Sequence, residues 1–172
     1  EGIKTLQHSE ILSFEEIVEV TRVAVKMGIN KVRITGGEPL VRKGIVDLVA
    51  MLSDIPGIED LSMTTNGTLL GRYAGQLRQA GLNRVNISLD TLDGAKYKML
   101  TRGGELIEVL MGIQAAKDAG LDPVKINCVV QHSSDEPDAR IIAEYCRQNG
   151  LAARFIHQMN LTEGHFSMVE GR

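Results

Sequence analysis

The sequence predicts a single α/β domain in which helices cover one side of a parallel sheet. Three observations predict this fold class. Amphipathic helical segments alternate with short β-rich segments, a glycine follows each of these helices, and no Ser-, Pro- or Gly-rich linker interrupts the alternation. Strands joined through helical crossovers run parallel, with the helices packed on the sheet. We therefore interpret residues 1–172 as one domain.

The elements follow one another in a regular order. Residues 14–27 carry apolar side chains at helical spacing, with Ser13 at the N-cap and Glu16 completing a capping box. Further helices are predicted near residues 43–53, 68–80, 105–119 and 138–149. The predicted strands are KVRIT (31–35), LSMTTN (61–66), RVNISLD (84–90), VKINCVV (124–130) and ARFIHQM (153–159).

The two faces of the predicted sheet differ in polarity, because side chains alternate along each strand. The apolar set, here called the helix face, is Val32, Ile34, Leu61, Met63, Val85, Ile87, Leu89, Val124, Ile126 and Cys128. The other set, here called the polar face, is Lys31, Arg33, Thr35, Ser62, Thr64, Asn66, Asn86, Ser88, Asp90, Lys125 and Asn127. Parallel sheets are usually apolar on both faces. This pattern predicts a curved sheet with helices outside and a solvated or ligand-filled concavity inside; a one-sided sheet with a merely solvated face stays open.

The composition narrows the classes of function. A net charge of −3, 3% aromatic residues and no Trp give no indication of a nucleic-acid surface. No apolar run approaches the roughly 18 residues of a membrane span, and residues 1–10 do not resemble a signal peptide. The two cysteines are far apart and have no metal-ligand spacing. We therefore expect a cytoplasmic protein without nucleic-acid or membrane partners.

The segment ITGGEPL (34–40) marks a candidate ligand site at a strand end. It is not a P-loop, because no Gly-Lys-Ser/Thr follows, and it lacks the third glycine of a dinucleotide fingerprint. Glycines let backbone approach a ligand closely, and a carboxylate beside them favours a cationic partner. The alternative is an ordinary strand-to-loop turn stiffened by Pro39.

The motifs KVRITGGEPLVRKGI, LSMTTNG, RVNISLDTLD, KINCVV and RFIHQM occur in this order over nearly the whole chain. Together they resemble the radical S-adenosylmethionine (SAM) enzymes, and among them the GTP 3′,8-cyclases of molybdenum cofactor biosynthesis. The resemblance implies a partial (β/α)6 TIM-like barrel, of which this chain supplies strands two to six. The chain is then a fragment of the radical SAM core domain.

The resemblance also implies an activity and its cofactors. SAM is cleaved reductively at a 4Fe–4S cluster, and the resulting 5′-deoxyadenosyl radical starts conversion of GTP to (8S)-3′,8-cyclo-7,8-dihydroguanosine 5′-triphosphate, with a reductant as partner. The family's cluster cysteines lie outside this chain, so we expect no metal ligands here, core roles for Cys128 and Cys146, and no activity of the chain alone. Two alternatives remain, another radical SAM enzyme that matures peptides or cofactors, or a non-catalytic nucleotide-binding domain without clusters. The sequence assigns no catalytic residue and leaves a homodimer open.

Residues that contact SAM follow from the same resemblance. Gly37 matches a SAM contact and Gly36 permits the approach, while the Glu38 carboxylate suits the ammonium of SAM. Ser88 and Met159 match two further contacts. Asp90 either holds a ribose hydroxyl or caps the following segment.

Residues that contact GTP lie on the polar face. Arg33, Thr64 and Lys125 match GTP contacts of the family. Lys31 and Arg154 are predicted as additional phosphate partners, although strict alternation puts Arg154 and Met159 on opposite faces. We further expect an unpaired edge on the KVRIT strand, covered by a partner or by residues 1–12, and mobile loops at GGEP and at residues 91–104.

Overall fold

Five parallel strands form one sheet whose spatial order follows the chain. The computed structural model describes residues 11–131, 133 and 136–158. The strands are β1 (Lys31–Ile34), β2 (Asp60–Thr65), β3 (Arg84–Ser88), β4 (Val124–Val130) and β5 (Ala152–His157). The helices are α1 (Phe14–Lys26), α2 (Ile45–Ser53), α3 (Leu70–Gln79), α4 (Gly94–Leu100), α5 (Leu106–Asp118) and α6 (Pro137–Asn149), with a 3-10 turn at Pro39–Val41. The predicted α/β class and parallel sheet are confirmed.

The core lies between the sheet and its helices, as the alternation predicts. Met63, Val85, Ile87 and Ile126 of the helix face are completely buried and belong to one apolar cluster with side chains of the helices. The burial of so many branched side chains is the main favourable contribution to folding. The helix face is therefore the side of the sheet that stabilises the domain.

Local signals at the start of α1 act as predicted. The Ser13 hydroxyl accepts a hydrogen bond from the Glu16 backbone N–H (3.1 Å), and the Glu16 carboxylate accepts one from the Ser13 N–H (2.7 Å). This reciprocal pair satisfies two donors that a helix N-terminus otherwise leaves unpaired. The capping box is confirmed.

The segment 91–104 is wrongly predicted as a loop, because it contains α4. The Asp93 carboxylate caps this helix by accepting from the Lys96 N–H (2.8 Å). The Thr91 hydroxyl donates to Asp138 on α6 (2.6 Å), and Lys96 forms an ion pair with the same carboxylate. A helix of seven residues is too short to show a clear apolar period, so its tertiary partners decide its formation.

The corner after β2 is held by close backbone packing. Gly67 has a positive φ of +84°, and a Cβ added at Gly112 of α5 would lie 2.2 Å from the Gly67 carbonyl oxygen. Glycine is therefore required at both positions, by conformation at one and by contact at the other. The TTNG corner is fixed against α5 in this way.

The outer strands each pair on one side only within the described residues: β1 with β2, and β5 with β4. The predicted open edge of the KVRIT strand is thus present in this part of the chain. Its predicted cover by residues 1–12 falls largely on residues outside the described ranges. No helix among the described residues has the length and apolar character needed to cross a membrane.

Candidate functional site

The GGEP corner leaves open space beside its two glycines. Gly36 and Gly37 are exposed, neither has a positive φ, and a Cβ added at either would meet no atom within 4 Å. Neither backbone conformation nor internal packing therefore requires glycine here, in contrast to Gly67 and Gly112. The missing side chains leave room for a ligand to contact the main chain at the end of β1.

Glu38 connects the ends of β1 and β2. Its Oε1 accepts from the Leu40 N–H (3.1 Å) and the Thr65 hydroxyl (2.7 Å), and its Oε2 accepts from the Asn66 N–H (2.7 Å). An ionised carboxylate offers about four acceptor positions, so three internal bonds leave one for a ligand. The sequence predicts only the ligand role; the structure adds a clamp between the GGEP and TTNG corners.

Arg33, Thr64 and Lys125 share one face of the sheet. Arg33 is the register partner of Ser62, two residues before Thr64, and the next pairs join Thr64 to Asn86 and Asn86 to Lys125. Because residues in register and residues two apart in a strand point to the same side, the predicted polar face is confirmed.

Further pairs extend this face across β4 and β5. Ser88 at the end of β3 lies opposite Asn127, which lies opposite Arg154. Arg154 therefore lies on the polar face, and β5 ends at His157, so the alternation that set Arg154 against Met159 does not extend to residue 159. Met159 itself lies outside the described residues.

Two side chains at the centre of the polar face are buried, which strand alternation alone does not predict. Ser62 and Asn86 are fully buried, whereas Lys31, Arg33 and Ser88 are exposed. Neighbouring strands lie only about 4.8 Å apart, so a short side chain beside longer ones lies below their level. Alternation predicts the direction of a side chain but not its depth.

An acid at the N-terminal end of the polar face was missed by sequence reasoning. Asp60 accepts hydrogen bonds from two nitrogens of Arg84, from Nε at 2.9 and 3.2 Å and from a terminal nitrogen at 2.6 Å. The hydrogen bond from Arg84 lowers the pKa of Asp60, and the charges of Lys31 and Arg33 lower it further. Lys31 is also the register partner of Asp60. Arg84 alternates with Asn86 along the same strand and so lies on the polar face. This arginine is the feature of the sequence that could have indicated an acidic partner there.

Asp90 contacts the neighbouring strand instead of capping a helix. Its Oδ1 accepts from the Val129 N–H (2.8 Å), whereas Asp93 caps the following helix.

A cavity of about 590 Å³ opens at this end of the strands. Its lining includes Asp90, Val129, Gln131, Glu136, Asp138 and Gln158. A cavity of this size accommodates a nucleoside-sized ligand.

Both cysteines are buried core thiols, as predicted. Burial raises the pKa of Cys128 and of Cys146 to about 11, so both are protonated at neutral pH. No cluster of three or more metal-ligating side chains occurs among the described residues.

A known family model matches most of the chain. The model of the radical SAM superfamily matches residues 3–146. The GTP 3′,8-cyclase of Petrotoga mobilis is 46% identical over 171 residues, covering 99% of this chain and 52% of that protein. The GTP 3′,8-cyclase of Pelotomaculum thermopropionicum is 49% identical over 159 residues, covering 92% and 49%. The chain spans about half the length of the curated relatives it matches.

Solved structures share the fold at low sequence identity. Streptococcus suis SuiB bound to S-adenosylmethionine superimposes with a TM-score of 0.72 and 20% identity, over 88% of this chain and 35% of that one. Methylornithine synthase (PylB) gives a TM-score of 0.71 and 20% identity, over 86% and 44%. These likenesses confirm the predicted partial-barrel fold.

Proposed function

This chain belongs to the radical SAM superfamily, and from that premise we propose that the protein, at its full natural length, is a GTP 3′,8-cyclase. The reaction converts GTP to (8S)-3′,8-cyclo-7,8-dihydroguanosine 5′-triphosphate in molybdenum cofactor biosynthesis. The observation that carries the proposal is the identity of 46–49% with curated GTP 3′,8-cyclases over 92–99% of the chain. The polar face supports it, because the cations there suit a triphosphate.

We assign the SAM contacts to the GGEP corner and the neighbouring strand ends. Gly36 and Gly37 leave space at the main chain, and the fourth acceptor position of Glu38 suits the SAM ammonium. Ser88, exposed at the end of β3, can donate to a carboxylate or ribose oxygen. Met159 completes the proposed set. SAM bound at a 4Fe–4S cluster supplies the radical chemistry, and we place the cluster ligands in the remainder of the protein.

We assign the GTP phosphates to the polar face. The exposed guanidinium of Arg33 can bind a phosphate through two N–H donors, and Lys125 contributes a point charge from β4. Arg154 reaches the same face from β5, and Thr64 offers a hydroxyl. Lys31 lies opposite Asp60, so part of its charge is balanced and we rank it as the weakest phosphate partner. The proposal includes a reductant as partner and a cytoplasmic location, and it leaves a homodimer open.

Calorimetric titration of GTP into the cluster-loaded, full-length protein tests the proposal. Arg33→Ala and Lys125→Ala should each weaken binding about tenfold or more, since each removes a charge-assisted contact. Arg147→Ala is the matched control, because Arg147 lies on α6 and pairs with Glu144 on the same helix. GTP binding that neither Arg33→Ala nor Lys125→Ala weakens would favour a different radical SAM enzyme.

The reaction products separate the remaining alternatives. A cyclase forms 5′-deoxyadenosine from SAM in proportion to GTP consumed. GTP binding without any SAM cleavage by the cluster-loaded protein would instead favour a non-catalytic nucleotide-binding domain.

A further inference from the structure

Two buried oxygen atoms on the polar face have no hydrogen-bond partner. They are Oδ1 of Asn86 and Oδ1 of Asn127, and no other buried side-chain nitrogen or oxygen of the described residues shares this property. Buried polar groups are nearly always paired, because an unpaired one loses its hydration without compensation. Two such groups on one face therefore indicate a partner that the folded chain alone does not provide.

Both amides adjoin the same lysine. Asn86 is the register partner of Lys125 across β3 and β4, and Asn127 follows Lys125 by two residues on the same strand and face. Neighbouring strands lie about 4.8 Å apart and alternate residues about 6.6 Å apart, so both carbonyl oxygens lie within reach of a four-carbon lysine side chain.

Lys125 differs from Arg84, Lys31 and Arg33, three other cations of this face, in its surroundings. Arg84 is bonded to Asp60, and Lys31 and Arg33 lie within the field of that carboxylate. In the described part of the chain Lys125 has no carboxylate partner. An amide oxygen can accept a hydrogen bond from an ammonium group without cancelling its charge, whereas a carboxylate would cancel it.

We infer that Asn86 and Asn127 are positioning residues for Lys125: their carbonyl oxygens accept two of its three N–H donors when the ammonium binds an anionic phosphate. The third donor then points to the phosphate, and the neutral amides leave the full positive charge available. This inference rests on the proposed function, since the phosphate belongs to the proposed nucleotide substrate. It gives the two unpaired oxygens a partner only in the ligand-bound state.

The test uses Asn86→Leu and Asn127→Leu in the full-length protein, with inorganic tripolyphosphate and GTP as probes. Each variant removes an unpaired buried oxygen, and Asn86→Leu loses in addition only the long contact from Nδ2 to the Thr64 hydroxyl (3.5 Å), so the unfolding midpoint should stay the same or rise. The affinity for both probes should nevertheless fall about tenfold, because Lys125 loses an acceptor that fixes it. Because Asn127 is only half-buried, we expect Asn127→Leu to fold. Asn86→Ala replaces Asn86→Leu if the latter does not fold.

Asn83→Leu is the matched control. The Asn83 Oδ1 is already paired with the Leu61 N–H (2.7 Å), outside the polar-face cluster. This variant should lower stability and leave the affinity of the folded protein for tripolyphosphate unchanged. A loss of stability in Asn83→Leu, without one in Asn86→Leu and Asn127→Leu, distinguishes an oxygen that is bonded within the fold from the two oxygens that are not.

A double-mutant cycle with Lys125→Ala identifies the partner of the amides. In the Lys125→Ala background, Asn86→Leu should cause no further loss of affinity. A full additional loss would overturn the inference, because the amide would then act on the ligand directly. Unchanged affinity in both asparagine variants, with normal binding by the wild type, would also overturn it and leave the proposed function intact. A wild type that binds neither probe would contradict the proposed function itself.

Discussion

The helix face and the polar face belong to the same strands but satisfy their side chains in different ways. On the helix face, Met63, Val85 and Ile87 are completely buried within one apolar cluster. On the polar face, Asn86 is equally buried, yet its carbonyl oxygen is unpaired. The side chains of the helix face are packed by the protein's own helices. The polar face, in contrast, carries polar groups to which we assign a partner only in the ligand-bound state. Along each strand, substitutions on the helix face should therefore change mainly stability, and substitutions at the alternate positions, on the polar face, should change mainly ligand binding.

Neighbouring residues of β3 give the largest expected contrast. Ile87→Ala should lower the free energy of unfolding by about 2–5 kcal/mol, because it removes buried methylene groups and leaves a cavity. Ser88→Ala, at an exposed position of the other face, should change it by less than about 0.5 kcal/mol. Urea denaturation measures both. SAM titration into the cluster-loaded protein should show the reverse order, with the loss at Ser88; equal stability effects would contradict the separation.

Much of this separation is predictable from sequence because alternation and helix capping are local. The capping box at Ser13 and Glu16, the five strands and both faces agree with the structure. The bond from Thr65 to Glu38 and the Asp60–Arg84 pair join residues that are 27 and 24 positions apart. Such pairs depend on strand register and side-chain depth, which local patterns do not contain. The polar face could be predicted as a set, but its internal pairing could not.

The clamp at Glu38 should give the next largest effect. Glu38→Ala leaves the Asn66 and Leu40 N–H groups and the Thr65 hydroxyl without their acceptor, so we expect a loss of about 2 kcal/mol in the free energy of unfolding. Glu38→Gln retains one carbonyl oxygen, so its free energy of unfolding should lie between those of the wild type and Glu38→Ala. Hydrogen exchange at the Asn66 amide should accelerate in the order wild type, Gln, Ala. Equal exchange in all three would mean that the carboxylate does not hold the two corners together.

The Asp60–Arg84 pair should make stability depend on pH at the acidic end. Arg84 holds the pKa of folded Asp60 below its ordinary value of 3.8. A lowered folded pKa means that the stabilising contribution is complete above the ordinary value and is lost as the pH falls through the folded value. The difference in unfolding free energy between wild type and Asp60→Asn should thus be constant from pH 7 to about pH 5. It should then decrease towards zero below pH 4. In an Arg84→Met background that difference should shrink at every pH; an unchanged difference would assign the effect to another partner.

The smallest effect is expected from an ion pair with similar distances outside the sheet. Glu144 and Arg147 on α6 approach to 2.6 Å, as Asp60 and Arg84 do, but their side chains are 50% and 73% exposed, against 21% and 17%. The hydrogen bond from Arg147 lowers the pKa of Glu144 to about 2, yet water and salt screen an exposed pair, so Glu144→Gln should produce no resolvable change in stability at physiological salt. Asp60→Asn, measured in parallel by urea denaturation, should produce a clear loss that persists in 1 M salt. If the two variants changed stability equally, distance and not burial would set the strength of such pairs. The burial of Asp60 and Arg84 would then not explain the contribution of their pair to stability.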